Sequence, residues 1–474
     1  MDKLPNISII AAQILEIVYR IIFVEVGGIP LIVVWFMAGG LVFTLWMRFV
    51  NLRGFTHAIK VVLGVYDNPE DEGEVSHFQA LATALSATVG LGNIAGVAIA
   101  IGLGGPGAVV WMTLAGFLGM SSKFVECTLA QKYRLVNPDG TIAGGPMYYL
   151  SAGLQELGQK NLGRVLAAMF AVLAIGAALG SSSIFQANQS KVAIARVFPV
   201  FASQGWLYGS VLVLLVGLVI IGGIRRIAQI TAVLVPFMCA IYVIAALWVL
   251  LVNWAKIPDA IATIFASAFE DQAVVVGGLA ALIQGFRRAA FSNEAGLGIA
   301  AIAHAAARTD EPIREGIVAT LEPLIDTVII CNMTALVIII TGAYNNPAWA
   351  NLGGAEITSA AFGSVIHWFP YVLAAALFCF AFSTMIAWGY YGELCWQYLL
   401  GQRWAIIYKL LFLTAIFLGA IVNPQAVIKF SDAMYLTMSI PNLLGLYFLA
   451  PTVARDLTDY WQKLTTSNQV AQNS

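Results

Sequence analysis

Two segments of this chain carry residues with binding chemistry in otherwise apolar surroundings. They are Thr88-Val89-Gly90-Leu91-Gly92-Asn93-Ile94-Ala95-Gly96 and Phe291-Ser292-Asn293-Glu294-Ala295-Gly296-Leu297-Gly298, the second directly after Arg287 and Arg288. Each glycine costs a helix about 1 kcal/mol relative to alanine, so both segments are poised to unwind. An unwound helix offers two tools. The half-helix that follows the break presents N–H groups to an anion, and the half that precedes it presents carbonyls to a cation. A zwitterionic amino acid travelling with Na⁺ needs both. Asn93 adds a neutral oxygen that suits Na⁺, beside the carbonyl or hydroxyl of Thr88. The competing readings are close helix packing through the Gly92–Gly96 pair and an interhelical hydrogen bond from Asn93.

These segments belong to elements that composition assigns to a membrane. Of 474 residues, 60% are hydrophobic and 10% charged, against about 25% charged in a soluble domain. Residues 75–122 carry no charge; that is too long for one span of about 20 residues, and Gly104-Gly105-Pro106-Gly107 divides it. Further apolar runs fall at 26–47, 165–190, 206–224, 228–252, 275–303, 317–342, 370–398, 405–422 and 431–451. The expectation is an all-α polytopic membrane protein of about 11 spans, not a β-barrel, whose strands would alternate in ten-residue segments. Residues 5–24 read as an interfacial amphipathic helix with Glu16, Arg20 and Glu25 on its polar side, and no cleavable signal is expected. With the N-terminus outside, sixteen Lys and Arg residues lie inside, against Lys3, Arg20, Lys191, Arg196, Lys256 and Lys429 outside. That bias predicts a cytoplasmic C-terminus.

The two breaks open two blocks of five spans, 77–252 and 275–452, after an N-terminal segment 1–50 and before a cytoplasmic tail 453–474. An odd number of spans inverts the second block. Interrupted spans at matching places in two such halves point to a transport site. The net charge of −1 suggests no nucleic-acid partner. Five isolated cysteines and four dispersed histidines suggest neither disulfides nor a metal centre.

The sequence resembles the alanine or glycine:cation symporter family. The resemblance rests on Gly90-Leu91-Gly92-Asn93-Ile94-Ala95-Gly96-Val97-Ala98, Gly104-Gly105-Pro106-Gly107, Lys123-Phe124-Val125-Glu126-Cys127, Gly144-Gly145-Pro146-Met147-Tyr148-Tyr149, the Phe291–Gly298 segment and Phe382-Ser383-Thr384-Met385-Ile386-Ala387-Trp388. It implies a leucine-transporter-type fold, a 5+5 inverted repeat with broken first and sixth core helices, and Na⁺-driven uptake of alanine or glycine across a bacterial or archaeal plasma membrane. It also implies no prosthetic group. Ile299-Ala300-Ala301 departs from the family's usual Ser and Pro, and Ala387 from its usual Gly.

Under that resemblance, Thr88, Val89 and Gly90 present backbone groups to substrate and sodium. Leu85, Thr88, Val89, Asn93, Ser383 and Thr384 supply the sodium ligands. Phe185, Gln186 and Gln189 lie on the third core helix, the two glutamines on adjoining turns. Trp388 with Phe185 caps the pocket, Thr384 borders it, and Gln284 and Asn293 hold the substrate amino group. Glu294 is expected to pair with Arg287 or Arg288 as a staple at the inner gate, Lys123 with Glu126 as a structural i, i+3 pair. Glu322 and Asp326 carry no assigned role beyond a proton or gating one. The rival readings are proton-coupled transport, a passive channel, and an intramembrane enzyme, for which no Ser/His or HExxH set is present.

Overall fold

The structure is a computed structural model that describes residues 24–269, 278–349, 352–421 and 433–473. The interfacial-helix reading of 5–24, with Glu16 and Arg20, and the position of Lys429 lie outside the described residues. Glu25 is described: it pairs in a two-residue strand, Glu25–Val26, with Ile29–Pro30.

Among the described residues, α-helices dominate: α1 Leu31–Trp46, α2 His77–Thr88, α3 Val97–Gly104, α4 Ala108–Lys132, α5 Pro146–Glu156, α6 Lys160–Ala177, α7 Gln186–Val197, α8 Gly205–Ile220 and α9 Gly223–Val252. There follow α10 Leu279–Asn293, α11 Ala301–Ala305, α12 Pro312–Ala319, α13 Asn332–Ile340, α14 Gly354–Gly363, α15 Phe369–Leu400, α16 Ala405–Gly419 and α17 Ser439–Asn473. Among the described residues, seven continuous helices are long and apolar enough to cross a bilayer, or eight with the bent pair His77–Thr88 and Gly92–Gly104, against the eleven or so expected; α1 and α8 are shorter apolar helices. Outward faces carry exposed aliphatics such as Leu214, Val233, Ile244 and Leu410, as a lipid-facing surface requires. The last helix continues through the segment read as a tail, with Val453, Leu457 and Tyr460 buried.

Local sequence explains the ends. Ser76 caps α2 reciprocally: its hydroxyl accepts from the Gln79 N–H, while Gln79 Oε1 accepts from the Ser76 N–H. Pro312 opens α12 where an N–H has no helical partner anyway. Among the described residues, π-helical turns interrupt the spans at Gly92–Gly96, Ala178–Phe185 and Leu324–Cys331. Such turns concentrate at functional sites because each extra residue rotates the following side chains.

Packing divides the helices into two groups. In one, α4 lies against α10, α11 and α12, and α10 against α3. Glycines allow the close approach: a Cβ on Gly119 of α4 would stand 2.8 Å from the Ala295 Cβ, and one on Gly285 of α10 would stand 2.6 Å from the Ala108 carbonyl. In the other, α15 packs on α6 and α7, and α16 on α8. Helix α2 touches both α9 and α15, so the first break faces the second group.

Candidate functional site

Both segments expected to unwind do so. Helix α2 ends where Val89 turns to φ −71°, ψ 108°, and the chain bends by 51° before continuing toward Gly104. Helix α10 ends at Glu294, whose φ of +57° is left-handed, and Gly296 and Gly298 follow at +86° and +81°. Those positive φ values suit glycine, and a Cβ on Gly298 would meet Pro146 Cγ at 2.7 Å.

The freed backbone groups find buried partners, as groups without water must. Glu126 Oε1 accepts from the Gly298 N–H (3.1 Å) and from Asn442 Nδ2 (2.8 Å), while that amide also donates to the Gly296 carbonyl (2.9 Å). At the first break, Thr358 Oγ1 of α14 donates to the Ile94 carbonyl at 2.8 Å. The Ser86 carbonyl accepts from Thr384 Oγ1 (2.9 Å) and Ser383 Oγ (3.3 Å), both on α15.

Between the breaks lies a cavity of ≈ 100 Å³. Drug-sized ligands occupy about 300–1,000 Å³, so this space suits a small solute. Thr88, Gly90 and Gly92 line it from the first break, and Ser181, Ser182, Phe185 and Gln186 from the π-turn before α7. Arg288 and Phe291 of α10, Thr384 and Trp388 of α15, and Tyr435 complete the wall. Arg288 lies over the Phe291 ring, 5.5 Å from its centroid. Trp388 stacks at a tilt on Tyr435, with centroids 5.4 Å apart.

Of the residues assigned to substrate, Thr88, Gly90, Phe185, Gln186, Thr384 and Trp388 meet at this cavity. Val89 is buried behind it and gives its N–H to the Leu85 carbonyl. Gln189 lines a separate cavity of ≈ 720 Å³ with Glu356 and His367. Gln284 packs against Gly104. Asn293 Nδ2 donates to Thr327 Oγ1 (3.0 Å), and its Oδ1 accepts from the Ala295 N–H (3.0 Å). Of the sodium assignments, Ser383 and Thr384 do face the first break, but on the Ser86 carbonyl; the Leu85 carbonyl accepts within its own helix, from Val89 and Thr88.

Asn93 joins three elements, the first break, α10 and the Leu324–Cys331 turn. Its Oδ1 accepts from the Gly90 N–H at 2.8 Å; its Nδ2 donates to Ser292 Oγ (3.1 Å), the Asp326 carbonyl (3.1 Å) and the Asp326 carboxylate. Asp326 also accepts from Ser292 and Thr327. The interhelical hydrogen bond expected of Asn93 is therefore present, and its oxygen accepts from the Gly90 N–H at the break.

Two expected ion pairs differ. Glu294 accepts from Tyr435 and, at 3.3 Å, from Trp388 Nε1, not from an arginine, because the left-handed turn at 294 aims its carboxylate across the bundle at α15. Lys123 pairs with Glu322 at 3.0 Å rather than with Glu126, whose carboxylate the Gly298 and Asn442 donors hold. Sequence reading also missed Tyr435 and Thr358, and the Ser181-Ser182-Ser183 run, a local signal that could have pointed to Ser181 and Ser182.

The profile of the sodium:alanine symporter family matches residues 11–473. The chain belongs to that family. It is 40% identical over 430 residues to the sodium/alanine symporter AgcS of Methanococcus maripaludis, covering 90% of this chain and 93% of the relative. It is 34% identical to the "Probable sodium/glutamine symporter GlnT" of Bacillus subtilis, covering 91% and 87%. Among solved structures, that of MhsT in complex with L-phenylalanine superposes with a TM-score of 0.55 at 14% identity, covering 82% of this chain and 99% of that one. This sodium:alanine symporter family member is therefore a multi-pass cation-coupled amino-acid symporter of leucine-transporter-type fold, and not an enzyme.

Proposed function

We propose that the protein imports a small neutral amino acid, alanine or glycine, together with Na⁺ across the plasma membrane, with its N-terminus outside and its C-terminus in the cytoplasm. The observation that carries this reading is the junction at the first break. The Ser86 carbonyl and the Ser383 and Thr384 hydroxyls converge from two helix groups beside a ≈ 100 Å³ cavity. Carbonyls and hydroxyls are the hard oxygen ligands that Na⁺ takes. The binding role extends to Leu85, Thr88, Val89, Asn93, Ser383 and Thr384 for sodium. Thr88, Val89, Gly90, Phe185, Gln186, Gln189, Gln284, Asn293, Thr384 and Trp388 are assigned to the solute, with the cavity-lining members in direct contact.

The mechanism follows from position. Sodium at the break orders the start of the second half-helix, which presents its N–H groups to the solute carboxylate. Phe185, Phe291, Trp388 and Tyr435 leave little room for a side chain, which favours alanine and glycine over glutamine. Binding tightens contacts between the two helix groups, and the occluded protein opens inward. The extra N-terminal span and two inverted five-helix blocks make the eleven-span arrangement that this cycle uses.

Proton coupling is the second reading, favoured by the buried Glu294 carboxylate against the cavity-lining Trp388 and Tyr435. Uptake of labelled alanine into proteoliposomes separates the two. An inward Na⁺ gradient should drive accumulation at equal pH on both sides; accumulation driven by a pH gradient alone, indifferent to Na⁺, would replace Na⁺ with H⁺.

A further inference from the structure

Behind the cavity, the half of the bundle that the charge bias places toward the cytoplasm holds a set of ionisable side chains that neither sodium nor solute explains. Glu315 of α12 accepts from two histidines at once: His77 Nδ1, at the start of α2, and His304 Nδ1 of α11, the latter at 2.5 Å. With both Nδ1 atoms donating, the basic nitrogen of each neutral ring is Nε2. His304 Nε2 faces Glu322 at 3.9 Å, and His77 Nε2 faces Asp67 at 4.0 Å. Both Nε2 atoms are buried without a hydrogen bond, as is Glu322 Oε2. Glu322 pairs through its other oxygen with Lys123, which also faces Glu126 and Glu294.

The charges do not balance. Lys123 is one cation among four fully buried carboxylates, Glu126, Glu294, Glu315 and Glu322. With neutral histidines and ionised acids, this volume would bury three negative charges in excess of Lys123, and buried excess charge is relieved by taking up protons. Other ionisable groups facing it are Arg314 toward His77, Arg134 toward Glu315, the buried Asp326 toward Glu322, and Cys127, Tyr149, Tyr391 and Tyr435 toward the carboxylates. Asp67 is half-exposed, so it gives the set a route to water.

We propose that His77, His304, Glu315 and Glu322 form a proton-binding site, loaded past Asp67 from the cytoplasmic side, whose occupancy is linked to the transport site through Lys123 and Glu294. The binding step needs no partner beyond hydronium from bulk water: an N–H bond forms at Nε2 of a histidine as an O–H bond of hydronium breaks, and water is released. At His304 the resulting imidazolium directs both N–H groups to carboxylates, Glu315 and Glu322. There it competes with Lys123 for Glu322. Lys123 released from Glu322 turns its charge to Glu294, the carboxylate that holds Trp388 and Tyr435 on the cavity wall. The effect is reciprocal, so solute binding must alter proton affinity by the same factor that protonation alters solute affinity. This link rests on the proposed transport site; the proton site itself does not.

The test therefore has two arms, using full-length protein in nanodiscs. Infrared difference spectra between about pH 6 and 8 read the site without any solute. Imidazole and carboxyl bands should change in the wild type and diminish in His304→Gln and in the milder, more peripheral His77→Gln. Spectra without such bands, or bands unaltered in both folded variants, would overturn the proposal. The second arm measures alanine affinity in NaCl over the same range. One linked proton changes the dissociation constant by up to about tenfold per pH unit, and His304→Gln should flatten that slope while alanine still binds. A flat wild-type slope refutes the link, whereas absence of alanine binding beside titrating bands would refute the solute assignment and leave the proton site supported.

Discussion

Replacing Asn93 by alanine is the most informative single perturbation, because one side chain is engaged by both halves of the proposed site. The substitution leaves the Gly90 N–H without its 2.8 Å acceptor, and the Asp326 carboxylate without an amide donor. Each buried orphan costs about 1–3 kcal/mol, so the apo protein should melt several degrees lower yet remain folded. The same oxygen is the assigned sodium ligand. A contact to a charged group is worth about 1.5–3 kcal/mol, which corresponds to a roughly 10- to 150-fold rise in the Na⁺ concentration for half-saturation. The assay is binding of labelled alanine in detergent, titrated with NaCl while choline chloride holds ionic strength constant. Alanine affinity at saturating Na⁺ should change far less than the Na⁺ requirement. A monodisperse variant with the wild-type Na⁺ requirement would refute the assignment of Asn93 to the ion and leave it as a helix–helix contact.

Three further outcomes follow from the geometry. Trp388→Ala removes a fully buried ring from the cavity wall; it should cost about 3–5 kcal/mol of stability and let larger neutral amino acids compete with alanine, measured by competition binding. Lys123→Met alone strands Glu322 and should destabilise by about 3–5 kcal/mol, whereas Lys123→Met with Glu322→Leu should recover most of that loss, measured by thermal melts of both variants. His57, which shares a 2.7 Å hydrogen bond with Tyr460, is pushed down from 6.5 to about 4 by burial, with Arg314 and Lys60 adding to it. The unfolded chain therefore binds the extra proton first, so this contribution is intact above about pH 6.5 and lost as pH falls toward 4; a His57→Phe variant should melt with a flatter pH profile over that window.

Much of the architecture was legible because bilayer chemistry writes itself into composition. Charge-free runs marked apolar helices, seven or eight of them long enough to cross among the described residues against an expected eleven or so, and the glycines of 90–96 and 296–298 marked the breaks, each weakening a helix by about 1 kcal/mol. Partners across the bundle were not legible. Lys123 looks paired with Glu126 at i, i+3, but only the folded chain brings Glu322 to it and Asn442 to Glu126. Gln186 and Gln189 should share a face on a regular helix. Both lie on α7, less than a turn apart, yet Gln186 borders the central cavity while Gln189 lines another. Tyr435 follows the same logic: its hydroxyl gains meaning from Glu294, which only the fold sets opposite it.

The central claim is that solute and ion share one site built from two opened helices. Thermodynamic reciprocity tests it most directly. Alanine affinity is measured with and without saturating NaCl, and Na⁺ affinity with and without saturating alanine, on the same purified protein. The account predicts that each ligand tightens the other by one common factor well above unity. If each binds with an affinity indifferent to the other, the two sites are independent and the claim is contradicted.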